Sequence, residues 1–141
     1  MNIIGISSFY HDSAACLIKN GNIKSAVQEE RFTRIKHDSA FPINSINFCI
    51  KNGNIKPNEI DYIVFYEKPF LKFERLIETY IAFAPKGLKN FSASIPLWVK
   101  EKIFQKKIIC NILNRKIDNS IDWSKKLLFS EHHLSHAASA F

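Results

Sequence analysis

The sequence contains no Cys-x-x-Cys pair, and its three cysteines, Cys16, Cys49 and Cys110, are widely spaced and odd in number. That excludes a zinc ribbon and a disulfide framework. Each thiol has apolar neighbours, as buried free thiols in a reducing cytoplasm do. A long uninterrupted apolar run is also missing. The most apolar middle stretch, Tyr80 to Val99, is broken by Pro85, Lys86, Lys89 and Pro96, and is too polar to span a bilayer. The opening MNIIGISSFYHD has no basic region and turns polar too early for a signal peptide. A cytoplasmic protein without a membrane partner is the expectation. Neither an internal repeat nor a low-complexity linker is visible.

What remains is a chain of 141 residues, 46% of them hydrophobic, which is ample for a packed core. The net charge is +7 and the pI about 9.4. Lysines are scattered along the whole chain rather than gathered in a patch, so a dedicated nucleic-acid surface is not expected.

Hydrophobic patterning gives an ordered set of elements. NIIGIS (Asn2 to Ser7) and AACLIK (Ala14 to Lys19) read as strands. Asn20-Gly21 reads as a tight hairpin turn, because both residues tolerate positive φ, and NIKSAVQEE reads as the return strand. RFTRIKHDSAF has no regular pattern. Pro42 opens a helix with Ile43, Ile46 and Ile50 on one face and Gly53 as its stop. Tyr62 to Tyr66 reads as a buried strand, Phe70 to Phe83 as a helix, and Pro96 to Leu113 as another. A polar loop from Asn114 to Asp122 leads to a short strand, Lys126 to Ser130, and then to a helix rich in small residues. The predicted class is α/β, an opening β-meander followed by alternating helices and strands on a mixed sheet.

Three stretches can carry chemistry. The first, GISSFYHDSAA, crowds Ser7, Ser8, His11, Asp12 and Ser13 between two strands. Such a loop can offer backbone N–H groups to a phosphate, with His11 exchanging a proton and Asp12 orienting it. It can equally be a turn held by its own Asp and Ser side chains. The second, QEERFTRIKHD, places Arg31, Arg34 and Lys36 after two glutamates, either as an anion-binding cluster or as a solvated charged turn. The third is SEHHLSHAASAF. On a helix His132 and His136 are i and i+4 and share a face, the spacing that lets two imidazoles hold one divalent metal. His133 points about 100° away. It occupies the place of the glutamate in His-Glu-x-x-His, which argues against a zincin-type protease. Two histidines leave a metal short of ligands, so acidic side chains elsewhere are needed to complete the site.

Taken together, HDSAA, the Asn-Gly hairpin, EERFTRIKHD followed by FP, and EHHLSHAASAF resemble the NodU/CmcH-type O-carbamoyltransferases, in the family's order and at compatible separations. The resemblance spans all 141 residues and corresponds to the front of a longer family protein. It implies a partial actin-like/sugar-kinase ATPase fold over residues 1–141, with the rest of that domain and a YrdC-like domain lying beyond. It implies that ATP and carbamoyl phosphate yield a carbamoyl-adenylate, whose carbamoyl group passes to a hydroxyl of a sugar or natural product. By the same resemblance His132 and His136 are ligands of an iron-like divalent metal near the nucleotide phosphates. His11 is the base for the acceptor hydroxyl and Asp12 supports it. Lys36 contacts the carbamoyl-adenylate, with Arg31 and Arg34 as weaker candidates. His133, off the face of the pair, is read from helix geometry alone as contacting a ligand, packing or hydrogen-bonding.

The family's acidic metal ligands lie beyond the histidine helix, where this sequence stops. The expectation is therefore a truncated chain, inactive alone and dependent on a complementing C-terminal chain. Two rival readings stand beside it. One is a tRNA threonylcarbamoyl-transferase-like enzyme, which shares the fold, metal and adenylate logic but is disfavoured by the HDSAA and EERFTRIKHD stretches. The other is a non-catalytic remnant or interaction module.

Overall fold

In the computed structural model, residues 1–84, 86–89, 91–92, 96 and 104–138 are described. The elements run β1 (Asn2–Ser7), β2 (Ala14–Lys19), β3 (Asn22–Gln28), α1 (Glu30–Thr33), α2 (Ile43–Asn52), a 3-10 turn (Pro57–Glu59), β4 (Tyr62–Phe65), α3 (Pro69–Phe83), α4 (Gln105–Lys116), α5 (Trp123–Lys126), β5 (Leu127–Phe129) and α6 (His132–Ala138). The α/β expectation holds. The helix expected from Pro96 to Leu113 is corrected to Gln105–Lys116, with Phe104 as its N-cap; residues 97–103 lie outside the described ones.

Five strands form one mixed sheet in the order β3-β2-β1-β4-β5. The first three are antiparallel, while β1, β4 and β5 run parallel. Asn20 (φ 52) and Gly21 (φ 81) make the tight turn that the Asn-Gly pair predicts. Register then decides which side chains meet. Leu17 opposes Ile4 and Ala15 opposes Ile6, while Ile63 and Phe65 lie across from Ile4 and Ile6 on the other side. All six are buried, so one face of the sheet carries the core together with Ile46 and Cys49 of α2 and Ile109 and Leu113 of α4. The opposite face carries Ile3, Cys16, Ile18 and Val64, all only partly buried, and Leu128, which is exposed.

Two local expectations are corrected. The return strand was expected to alternate through Ile23, Ser25 and Val27, yet Ile23 is 72% exposed. The register steps between Leu17 and Ile18, which pair with Ser25 and Ile23, and leaves Lys24 as an extra residue. A bulge of this kind turns the strand beyond it to the other face. Gly53 ends α2 as expected, with φ −75. Glycine is needed there for space: a Cβ would lie 2.2 Å from Leu17 Cδ2. The loop expected from Asn114 is helical to Lys116, and the short helix α5 precedes β5. There Trp123 is buried and its indole donates to the Asp118 carbonyl at 2.8 Å.

The irregular stretch after β3 has a defined scaffold. Glu29, 2% exposed, accepts from the Asn44 backbone N–H (3.0 Å) and side-chain amide (2.8 Å) through Oε1. Its Oε2 accepts from the Ser45 N–H (2.8 Å) and hydroxyl (2.6 Å). The N-cap of α2 is Pro42, which has no side-chain acceptor, so Glu29 satisfies the open N–H groups from a distance. Among the described residues no helix is long and apolar enough to cross a membrane.

Candidate functional site

Because β1, β4 and β5 are parallel, the loops that follow them emerge at one end of the sheet. In open α/β sheets ligands bind outside that carboxyl end. The loops are joined there. The Ser130 N–H donates to the Phe65 carbonyl (2.8 Å), and the Tyr66 N–H to the Ile6 carbonyl (3.3 Å). Phe9, in the loop after β1, packs with Phe65 and Phe41 at centroid distances of 6.2 and 6.0 Å.

The loop Ser8–Ser13 is stitched to the segment after α1. The Phe9 N–H donates to the Ser39 carbonyl (2.9 Å) and the Ser13 N–H to the Asp38 carbonyl (2.8 Å). Asp38 is held in turn by the Thr33 hydroxyl (2.7 Å) and the Ala40 N–H (2.8 Å). These bonds hold its carboxyl below the ordinary value of 3.8, the Ala40 N–H foremost and then Thr33. Phe9, Asp12, Arg34 and His37 all have positive φ (70, 49, 62 and 57). A non-glycine residue gives up roughly 1 kcal/mol to adopt that conformation, so four of them gathered at one place mark a constrained site.

The constraint aims one carboxylate at two imidazoles. His11 Nδ1 lies 2.9 Å from Asp12 Oδ2, and His37 Nδ1 lies 2.9 Å from Asp12 Oδ1. Asp12 is held below the ordinary carboxylate value, chiefly by the hydrogen bond from His37 and next by that from His11. An ionised carboxylate only accepts, so each Nδ1 donates to it, and Nε2 of each ring takes no part in these contacts. His11 and His37 are exposed, whereas Ser8 and Ser13 are 2% and 1% exposed. The two serines therefore lie beneath the loop, with their hydroxyls turned away from solvent.

The charged candidates of the second stretch are arranged differently. Arg31 lies 3.9 Å from Glu30. Arg34 ends α1, its N–H donating to the Glu30 carbonyl. Lys36 is exposed and directly precedes His37. Sequence reasoning passed over His37. Its only signal was the dipeptide His37-Asp38, which mirrors His11-Asp12 across a separation that sequence alone does not close.

The third stretch follows β5. The histidines occupy α6 as expected, with His132 Nε2 and His136 Nε2 3.1 Å apart. Two imidazoles bound to one ion, with bonds of about 2.0–2.1 Å at 90–109°, have nitrogens about 2.8–3.4 Å apart. The separation of this pair falls in that range, which is also that of an imidazole–imidazole hydrogen bond. Among the described residues no group of three or more His, Cys, Asp or Glu forms a fuller cage. His133 is set edge-on to His132, ring centroids 5.7 Å apart, and does not share the His136 side.

Tyr66 borders the histidine pair. Its ring lies 5.6 Å from that of His132, and the Ser135 hydroxyl donates to its carbonyl at 3.2 Å. Burial pushes its phenol up to about 12, followed by the negative Glu67 carboxylate and the hydrogen bond to it, with a small share from Tyr10. Tyr10 in turn packs on His11 with centroids 4.6 Å apart. Ring contacts run from Phe9 through Phe65 and Tyr66 to His132 across the carboxyl ends of β1 and β4.

The chain is similar to known proteins along its length. The family described as carbamoyltransferase N-terminus matches residues 2–141. An uncharacterized protein of Synechocystis sp. is 54% identical over 140 residues, 99% of this chain and 23% of that protein. Nodulation protein NolNO of Sinorhizobium fredii is 33% identical over 138 residues, 96% of this chain and 18% of that protein. An uncharacterized protein of Methanocaldococcus jannaschii is 29% identical, covering 100% of this chain and 28% of its own length. The chain thus spans less than a third of the length of each of these relatives.

Proposed function

The chain belongs to the carbamoyltransferase family, by its N-terminal domain, and on that premise we propose that the complete protein moves a carbamoyl group from carbamoyl-adenylate to a hydroxyl of a sugar or natural product. The adenylate is made from carbamoyl phosphate and ATP by a YrdC-like domain outside this chain. The observation that carries the reading is the His11–Asp12 hydrogen bond of 2.9 Å at the carboxyl end of β1. The sheet order β3-β2-β1-β4-β5, an antiparallel hairpin unit continued by parallel strands, supports the start of an actin-like ATPase fold.

An alcohol is a weak nucleophile until a base takes its proton. His11 holds Nδ1–H against Asp12, so its Nε2 accepts the acceptor's hydroxyl proton as the oxygen attacks the carbamoyl carbon. The new C–O bond forms while the bond to the AMP phosphate breaks, giving a carbamate ester and AMP. Asp12 keeps the ring oriented and stabilises the imidazolium that results. Lys36, with Arg31 and Arg34 as weaker candidates, and His133 supply cationic or donor groups for the adenylate. A divalent ion held by His132 and His136, iron by family resemblance, would supply positive charge beside the phosphate oxygens.

The test uses the purified complete protein with ATP, carbamoyl phosphate and a panel of hydroxyl acceptors. Carbamate ester and AMP are expected. His11→Ala should lower transfer by about 10²–10⁴-fold while leaving adenylate formation intact. No ester with any acceptor, or wild-type transfer by His11→Ala, would overturn the reading.

A further inference from the structure

We propose that His37 is a positioning residue for His11, acting through the shared carboxylate of Asp12. This rests on the carbamoyl-transfer reading above and adds a residue that neither the spacing of the motifs nor the family match assigns.

Asp12 has two carboxylate oxygens, and the structure gives each to a different imidazole Nδ1 at 2.9 Å. With only one imidazole bound, the carboxylate could rotate about its terminal bond and present either oxygen, or neither, to His11. A second donor on Oδ1 removes that freedom and leaves Oδ2 facing His11. His37 is itself held at both ends. Its N–H meets Glu30 Oε2 at 3.3 Å, and the next residue, Asp38, is anchored by Thr33 and Ala40. Both Asp12 and His37 adopt positive φ, at 49 and 57. Backbone strain at both partners of one hydrogen bond is what a fold retains when that bond has a use beyond stability. The charged and titratable groups around the trio are Glu30, which accepts the His37 N–H, Lys36 and Asp38 on either side of His37, and Tyr10 against His11.

The two ring nitrogens of histidine allow a discriminating experiment. The amide nitrogen of Asn reaches about where Nδ1 sits, and that of Gln about where Nε2 sits. In the complete protein, His37→Ala is expected to lower kcat for transfer between about tenfold and a hundredfold, with acceptor KM little changed. His37→Asn should recover most of that loss and His37→Gln should not. In a His11→Ala background, His37→Ala should cost nothing further, because a residue that works through His11 has nothing left to position. A loss that simply adds to that of His11→Ala, or equal activity of the Asn and Gln variants, would overturn the proposal.

A readout independent of turnover separates this inference from the reading beneath it. Ring nitrogen NMR of the complete protein, with histidine labelled, should show His11 as the Nδ1–H tautomer in wild type and in His37→Asn. The tautomers should mix in His37→Ala and His37→Gln. That pattern in a protein that transfers no carbamoyl group would keep the positioning role and remove the reaction. A His11 tautomer unchanged by His37→Ala would remove the positioning role even in an active transferase.

Discussion

The carboxylate of Glu29 meets the hydroxyl of Ser45 at 2.6 Å, joining the end of β3 to the first turn of α2 across sixteen residues of sequence. Three further donors converge on the same carboxylate. The contact fixes both ends of the segment that carries Arg31, Arg34, Lys36 and His37.

Glu29→Ala is therefore expected to destabilise the protein by about 3 kcal/mol, since it strands buried helix-end N–H groups that have no local cap. Glu29→Gln, which keeps one acceptor oxygen, should cost less. Urea unfolding of the two variants against wild type checks the order, and an Ala variant as stable as wild type would refute it.

Space at Gly53 makes a second expectation. Gly53→Ala drives a methyl toward Leu17 Cδ2 in a core where Leu17 is fully buried, and overpacking of this kind costs about 1–3 kcal/mol. Gly53→Ala combined with Leu17→Ala should be more stable than the sum of the two losses predicts, because the second change makes room for the first. Strict additivity of the two would show that the loop shifts instead of the side chain.

Acid should act through Asp38. Its folded pKa lies below the ordinary 3.8, so the stability it contributes is complete above that value and is lost as the pH falls through the lower folded value. Denaturation midpoints are expected to be level toward neutral pH and to drop below about pH 3.8. The drop should be shallower in Asp38→Asn, although Asp12, Asp118 and Asp122 are shifted in the same direction and retain part of it. An identical acid limb in Asp38→Asn would show that the carboxyl is not linked to folding.

Metal content supplies the fourth expectation. His132→Ala and His136→Ala, made singly in the complete protein, should each lose bound divalent metal on dialysis, whereas His133→Ala, whose ring lies off the pair, should retain it. Elemental analysis decides. Equal metal content in all three would remove the pair as a site.

Much of this was legible in the sequence because the signals are local. Asn20-Gly21 specifies its own turn, Pro42 and the isoleucines after it specify α2, and the i, i+4 spacing brings His132 and His136 together on any helix. What escaped depends on pairing between distant residues. Lys24 bulges because of the register against β2, so the alternation of Ile23, Ser25 and Val27 misled. The stretch Arg31 to Phe41 has no period of its own because its order comes from Glu29 on α2, Thr33 on Asp38 and Asp12 on His37. Gly53 was legible as the stop of α2 but its need for space was not: Leu17, thirty-six positions earlier, occupies the place a side chain would need. His37 was missed because its partner Asp12 is twenty-five residues away and no pattern links them.

The sheet order also sets a sequence of assembly. Strands β1, β2 and β3 pair with immediate neighbours, and α2 packs on them, so the unit that holds His11, Asp12 and His37 closes within roughly the first third of the chain. Strand β4 reaches back to β1 across more than forty residues, and β5 must wait for β4. Contacts between distant parts of a chain form more slowly than local ones. On a ribosome the His11–Asp12–His37 trio would be in place before α6 had emerged, and the docking of β5 onto β4 would then bring His132 and His136 to the same end of the sheet.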